Sequence, residues 1–135
     1  MSARSKARRR AVEVLYESDL RRSTVQEAMD SLASRLSTVN PYTEAIVLGV
    51  QDNAEQIDET LSTYAQGWSL DRMPAVDRAI LRVGTWELLW ADVPEAVALA
   101  EAVGLANELS TDESGKYING VLARVREIKP RMVLE

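Results

Sequence analysis

Apolar side chains recur three and four positions apart along most of the chain, and no segment alternates apolar and polar residues over the length of a strand. This pattern predicts an all-α fold. The first segment spans residues 4–22 and places Val12, Leu15, Tyr16 and Leu20 on one side of a helix. The chain is therefore expected to begin with a helix whose first turns carry basic side chains.

Polar residues at the borders of these segments mark where further helices begin. Thr24 followed by Glu27 matches a capping box and predicts a second helix. Asn40 and Pro41 supply an N-cap and a proline at the first helical position. A long helix or a kinked pair should follow and continue to Gly67, a suitable C-cap.

The segment AVDRAILRVGTWELLW at residues 75–90 is apolar around most of its circumference, which predicts a central helix. Asp92 and Pro94 open the next helix, and a last one begins near residues 114–116 and ends at Pro130. The total is six or seven helices. Four glycines inside them predict close approach between helices: Gly49, Gly84, Gly104 and Gly120.

The length of 135 residues suits a single domain over residues 1–135. Cysteine and histidine are absent, which excludes thiolate chemistry, triads with histidine and the usual zinc sites. No phosphate-binding loop, nucleophile elbow or dinucleotide fingerprint occurs either. We expect a binding protein and no enzyme, with no metal ion and no cofactor.

No apolar run is long enough to span a membrane, and the basic start lacks the apolar core of a secretory signal. We therefore expect a cytoplasmic protein without a membrane partner. An Arg-rich start can also belong to an organellar transit peptide, but acidic residues lie in the same amphipathic segment.

The net charge of −5 conceals an asymmetry along the chain. Residues 1–10 contain no acid and five basic residues: Arg4, Lys6, Arg8, Arg9 and Arg10. The remainder has a net charge of −10, so a polyanion is expected to bind only near the basic end. Such a cluster favours RNA by releasing counterions, although a solvated arm or a partner-binding segment would show the same composition.

A second candidate site is the run STDESGKYINGVL at residues 110–122, which joins a polar turn to a helix N-terminus. Lys116 can hold phosphate, Tyr117 can stack on an unpaired base, and the amide of Asn119 can form hydrogen bonds in both directions. The alternative is structural, with Tyr117 at the edge of the core and Asn119 and Gly120 at a tight packing position.

Four features together resemble the NusB family of transcription antitermination factors over almost the whole chain. They are the Arg-rich start that runs into AVEVLYESDL, the central AVDRAILRVGTWELLWADVPEAVALAEAVGLA, the turn STDESGKYINGVL, and the spacing between them. The last motif matches the family's K-[FY]-[VI]-N-G-V-L. Their order and number make the resemblance specific.

The resemblance implies seven helices in two packed bundles. It also implies binding to the boxA element of single-stranded leader RNA, together with NusE, a small-subunit ribosomal protein. The pair would act on RNA polymerase and suppress termination, chiefly in rRNA operons. The same fold precedes a catalytic domain in RNA cytosine methyltransferases, but we expect none here because the sequence ends at Glu135.

By motif, the resemblance also implies roles for individual residues. Arg8, Arg9 and Arg10 fall in the basic RNA-contacting start. Glu113, Lys116 and Tyr117 fall in the second RNA-contacting segment, and Tyr64 matches an aromatic residue at the RNA surface. Tyr16 and Asp77 match positions near the protein partner. The competing hypothesis is a helical adaptor or homodimer without direct RNA readout.

Overall fold

The computed structural model describes residues 2–134, and within that range it forms seven α-helices and no strand. The helices are α1 (Ala3–Arg21), α2 (Val25–Arg35), α3 (Pro41–Asp52), α4 (Ala54–Tyr64), α5 (Ala75–Leu89), α6 (Glu95–Leu109) and α7 (Asp112–Ile128), and a short 3-10 helix (Lys129–Arg131) follows α7. The predicted all-α class is confirmed. None of the helices formed by these residues is both long and apolar enough to cross a membrane.

Two of the predicted helix starts form as expected. The Thr24 side chain accepts a hydrogen bond from the Glu27 N–H at 3.0 Å, and the Glu27 carboxylate accepts from the Thr24 N–H at 3.1 Å. Asn40 caps α3 by accepting from the N–H of Tyr42, and Pro41 occupies the first turn. These local bonds satisfy amide groups that have no partner inside the helix.

Two boundaries differ from the prediction. The segment after Pro41 forms two helices that meet at Asn53, which agrees with the predicted kinked pair, but α4 ends three residues before Gly67, the predicted C-cap. The last helix begins earlier than expected because Thr111 accepts a hydrogen bond from the N–H of Ser114 and thereby caps α7. Residues 112 and 113 therefore belong to the helix.

The helices pack as two groups around α5. The first group consists of α1, α2 and α3, which contact one another. The second group consists of α4, α5, α6 and α7. The two groups meet where α1 and α3 pack on α5. One buried apolar cluster draws on all seven helices. Its largest fully buried side chains include Leu32, Ile46, Ile57, Leu81 and Ile118.

The glycines separate into two classes. A Cβ at Gly49 would overlap the indole of Trp86, and one at Gly84 would lie 2.7 Å from Leu122 Cδ1, so the predicted close approach between helices is confirmed at both positions. At Gly104 and Gly120 nothing lies within 4 Å of a Cβ, so the prediction of close helix approach is wrong there. A glycine inside a helix costs about 1 kcal/mol relative to alanine. Packing does not account for that cost at Gly104 and Gly120.

Candidate RNA and partner interfaces

The five basic residues at the start of α1 do not share one surface. The guanidinium of Arg4 lies 4.4 Å from the ring centroid of Tyr42, in a cation–π contact. Lys6 is exposed and forms no ion pair with any residue in the range 2–134. The other three side chains bind carboxylates of this chain, so the charge open to a ligand is smaller than the sequence suggests.

Arg8 requires a correction, because it is only 3% exposed and does not face an external ligand. Its Nε donates to both carboxylate oxygens of Glu87, at 2.8 and 2.9 Å. A Glu101 oxygen lies 3.4 Å from its Nη1, and the Tyr42 hydroxyl donates to Glu87 at 2.6 Å. This network ties α1 to α3, α5 and α6. A buried guanidinium needs carboxylates such as Glu87 and Glu101 beside it. Because these carboxylates already bind the Arg8 guanidinium, it is not open to an RNA phosphate.

The same network shifts two pKa values. Burial alone would lower the pKa of Arg8, but its hydrogen bond to Glu87 and the nearby carboxylate charges raise it above its ordinary value. Burial and the hydrogen bond to Glu87 raise the pKa of Tyr42 to about 12. Tyr42 therefore remains a neutral donor and Arg8 remains a cation at every physiological pH.

Arg9 and Arg10 lie at the edge of the basic segment. Arg9 pairs with Glu108 on α6 and lies 3.5 Å from Glu13. Arg10 lies 3.2 Å from the same Glu13 and also lines a cavity of about 460 Å³. Lys6 lines this cavity as well, opposite the N-terminal turn of α3. Arg4 and Lys6, which form no ion pair within residues 2–134, are thus the basic side chains best placed to contact phosphate.

A second candidate surface lies between the end of α4 and the outer face of α7. Tyr64, Lys116 and Tyr117 line one groove of about 210 Å³, which we call the α4–α7 groove. Its other lining residues are Gln66, Gly120, Val121 and Arg124. The structure therefore brings together an aromatic residue of α4 and the predicted segment of α7, which the sequence separates by about fifty positions.

Tyr117 is partly buried and is both packed and accessible. Its ring meets Trp68 edge to face at 5.5 Å between centroids, and its hydroxyl lies 3.4 Å from the Trp68 carbonyl oxygen. Burial raises its pKa. Tyr117 therefore packs at the edge of the core, as the structural alternative predicts, and it also lines the groove, while its stacking on RNA stays a prediction.

Asn119 and Glu113 lie beside this groove and not in it. Asn119 is exposed and lines a neighbouring cavity of about 490 Å³ with Lys116, which borders both cavities. Glu113 is exposed and lies 3.6 Å from the Lys116 ammonium. Gly115 approaches α6 so closely that a Cβ would overlap Asn107. The tight packing position is thus Gly115, not Gly120.

Arg124 lines the α4–α7 groove but is not among the site residues predicted from the sequence. Arg124 follows Lys116 by eight positions, which is two helical turns and the same face of α7. That spacing was visible in the sequence, but it becomes informative only once α4 is known to pack alongside α7.

The two predicted partner-binding residues lie in different environments. Tyr16 is 38% exposed and lines an apolar groove of about 290 Å³ between α1, α5 and α6. Asp77 requires a correction: it is fully buried, and the Ser114 hydroxyl donates to its Oδ2 at 2.7 Å. Its carboxylate joins α5 to the first turn of α7 and does not face a partner. The neighbouring residue Val76 is the one that lines the groove with Tyr16.

Comparisons with known proteins agree with this architecture. The model of the NusB family matches residues 5–127. A transcription antitermination protein NusB of Pseudarthrobacter chlorophenolicus is 53% identical over 135 residues, which cover 98% of this chain and 99% of that protein.

Two solved structures are similar to this chain. T. maritima NusB is 29% identical with a TM-score of 0.85, and the match covers 94% of this chain and 92% of that one. A chain in the crystal structure of the antitermination factors NusB and NusE in complex with dsRNA is 27% identical with a TM-score of 0.83, and the match covers 92% and 96% of the two chains. The NusB family model matches most residues of this chain, and a relative that is 53% identical matches nearly its whole length. This chain therefore belongs to the NusB family.

Proposed function

We propose that this protein is a transcription antitermination factor that binds RNA together with the ribosomal protein NusE. It is not an enzyme: the family is one of antitermination proteins that act by binding. The observation that carries the proposal is the full-length similarity to proteins named transcription antitermination protein NusB. A solved relative bound to NusE and dsRNA supports both classes of partner.

More specifically, residues 1–135 would form a single RNA-binding domain that acts in the cytoplasm. The RNA would be a single-stranded boxA-type leader element, and the complex with NusE would act on RNA polymerase, chiefly in rRNA operons. The net charge of −10 outside residues 1–10 supports local binding, because RNA is repelled by most of the remaining surface.

We assign RNA contacts to two surfaces. At the start of α1, Arg4 and Lys6 would hold phosphates, and Arg9 and Arg10 would join them only if their pairs with Glu13 and Glu108 open. On α7, the contacts would come from the predicted residues around the α4–α7 groove: Tyr64, Glu113, Lys116, Tyr117 and Asn119. Phosphate contacts position a strand, and base contacts distinguish its sequence.

NusE is assigned to the apolar groove at Tyr16, because the exposed ring of Tyr16 lies there beside the half-buried side chains of Val76 and Leu109. The groove lies on α1 next to the basic segment. One helix can therefore contact RNA with its first turns and NusE with its middle.

The proposal is tested by fluorescence anisotropy with a labelled boxA-like single strand, with the protein alone and with NusE. We expect the single strand to bind more tightly than a scrambled strand or a duplex of the same length, and NusE to increase the affinity. Equal affinity for all three RNAs, with or without NusE, would contradict the proposal. Gel filtration with and without RNA tests the homodimer alternative, because a dimer that covers the RNA surface should dissociate when RNA binds.

The stacking role of Tyr117 has its own test, Tyr117→Leu, which keeps apolar volume against Trp68 and removes the flat ring. We expect a loss of about 1–3 kcal/mol in RNA binding with little change in salt dependence. Melting temperature is measured on the same sample. Unchanged affinity in a destabilised variant would leave Tyr117 with a structural role only.

A further inference from the structure

Gly120 is an exposed glycine in the interior of α7 that packing does not explain. Nothing lies within 4 Å of the position that a Cβ would occupy, so alanine would fit there without contact. Alanine also favours the helix more than glycine does. Packing therefore does not explain the glycine at this position, and the surroundings of Gly120 suggest a different reason for it.

Gly120 lines the α4–α7 groove between two cations of the same helix. Lys116 precedes it by one turn and Arg124 follows it by one turn, so all three lie on one face of α7. Lys116 and Arg124 are about 12 Å apart along the helix axis, far enough to hold two different phosphates.

The charge around the groove favours an anionic ligand. None of the described residues that line it is acidic, although the chain has 21 acidic and 16 basic residues. Arg124 forms no ion pair with any residue in the range 2–134. The exposed pair between Lys116 and Glu113, at 3.6 Å, is too weak to prevent binding to phosphate.

The aromatic residues distinguish RNA from other polyanions. Tyr64 and Tyr117 line the same groove, and an aromatic face can stack on an unpaired base. An acidic peptide would pair with the two cations but would gain nothing comparable from two tyrosines. The combination of cation, aromatic ring and open backbone therefore favours single-stranded RNA.

We propose that a single RNA strand runs along α7 across Gly120, with its phosphates on Lys116 and Arg124 and its bases toward Tyr64 and Tyr117. The missing side chain at Gly120 lets the sugar–phosphate backbone lie against the helix. This inference rests on the proposed function and extends it, because it adds Gly120 and Arg124 to the RNA path. It also explains a glycine that lowers the stability of the free protein.

The test uses substitutions with opposite effects on stability and binding. Gly120→Ala should raise the melting temperature by about 3–5 °C, because it favours the helix without a clash. The same variant should weaken binding of the boxA-like strand about 5-fold, and Gly120→Leu should weaken it further, because each fills the space that the RNA backbone needs. Arg124→Gln should lower the slope of log K against log salt by about 0.7.

Gly104→Ala is the matched control, because Gly104 is also an exposed helical glycine with open space around it and lies outside the groove. It should show the same rise in melting temperature with RNA affinity unchanged. An equal loss of affinity in Gly104→Ala would overturn the assignment to this groove.

Lys6→Gln separates failure of this inference from failure of the proposed function. If Lys6→Gln weakens binding while Gly120→Leu and Arg124→Gln match the wild type, the path along α7 is overturned and RNA binding stands. If the wild-type protein does not bind the strand, the proposed function fails, and the path along α7 fails with it.

Discussion

The chemical type of a residue does not determine whether its side chain is exposed to a ligand or buried in the fold. Arg8 lies within a basic run, yet its guanidinium is enclosed by Glu87, Glu101 and Tyr42. Asp77 is an acidic residue of a type common at interfaces, yet it lies in the core and accepts a hydrogen bond from Ser114. In both cases a buried carboxylate links two helices, so the side chain contacts other parts of the fold and not a ligand.

Glu87→Gln tests the buried pair. Removing the charge leaves Glu101 as the one carboxylate that pairs with the buried Arg8 among residues 2–134, so we expect the free energy of unfolding to fall by about 3 kcal/mol. Urea unfolding measures this. The double variant Arg8→Met, Glu87→Gln should recover part of the loss, because no unpaired charge remains. A loss below about 1 kcal/mol in the single variant would contradict the role of the pair.

The raised pKa of Tyr42 predicts a loss of stability at high pH. An unfolded tyrosine has a pKa of about 10, whereas burial and Glu87 raise the folded value to about 12. Folding therefore favours the neutral phenol, and this contribution is present below about pH 10 and is lost as the pH rises toward 12. Melting temperatures of wild type and Tyr42→Phe should converge over that window. Parallel curves would show that Tyr42 does not titrate as described.

At the scale of elements, α1 divides its basic residues among three tasks. Arg8 faces inward, Arg9 holds Glu13 and Glu108, and Lys6 is open to solvent. The division follows from helical geometry, because neighbouring positions point about 100° apart around the axis. The five basic side chains within residues 4–10 therefore point in different directions and do not form one site.

The salt dependence of RNA binding should report this division. Each phosphate contact to a single strand contributes about −0.7 to the slope of log K against log salt. We expect Lys6→Gln to reduce the slope by about that amount, whereas Arg9→Gln should change it much less because Arg9 is already paired. Anisotropy titrations at several salt concentrations measure both. Equal reductions in the two variants would contradict the division.

At the scale of the whole molecule, the two candidate surfaces depend on how the two groups of helices meet. The apolar groove at Tyr16 forms where α1 meets α5 and α6, and the α4–α7 groove lies within the second group. The start of α1 is tied to α6 through Arg9 and Glu108, and α6 packs on α7. Distant parts of the sequence therefore contribute to each surface.

Tyr16→Ser tests whether the apolar groove binds NusE. Tyr16 is 38% exposed, so its loss should affect the fold little while weakening the NusE complex about 10-fold or more, since aromatic residues dominate such interfaces. Leu48→Ser is the matched control, because Leu48 is 41% exposed on α3 and lines none of the described grooves. Calorimetry with NusE measures both. Similar affinities of the two variants would place NusE elsewhere.

Much of the fold could be predicted because its signals are local. The capping box at Thr24 and the proline after Asn40 involve residues a few positions apart, and both form as expected. The apolar segment at 75–90 is central because a helix without a polar face must be surrounded. The boundaries at Asn53 and Thr111 were less visible, since single hydrogen bonds and packing set them.

The sequence by itself determined the helical class, the order of the helices, the absence of thiol and imidazole chemistry, and the concentration of positive charge at one end. Only the tertiary structure decided which charged side chains are exposed and unpaired and can therefore bind a ligand, because burial and ion pairing depend on residues far apart in the chain. It placed Glu87 against Arg8 across 79 positions and Tyr64 beside Lys116 and Tyr117. Helical periodicity predicts which residues share a face, but the partner of that face is decided by how the helices pack.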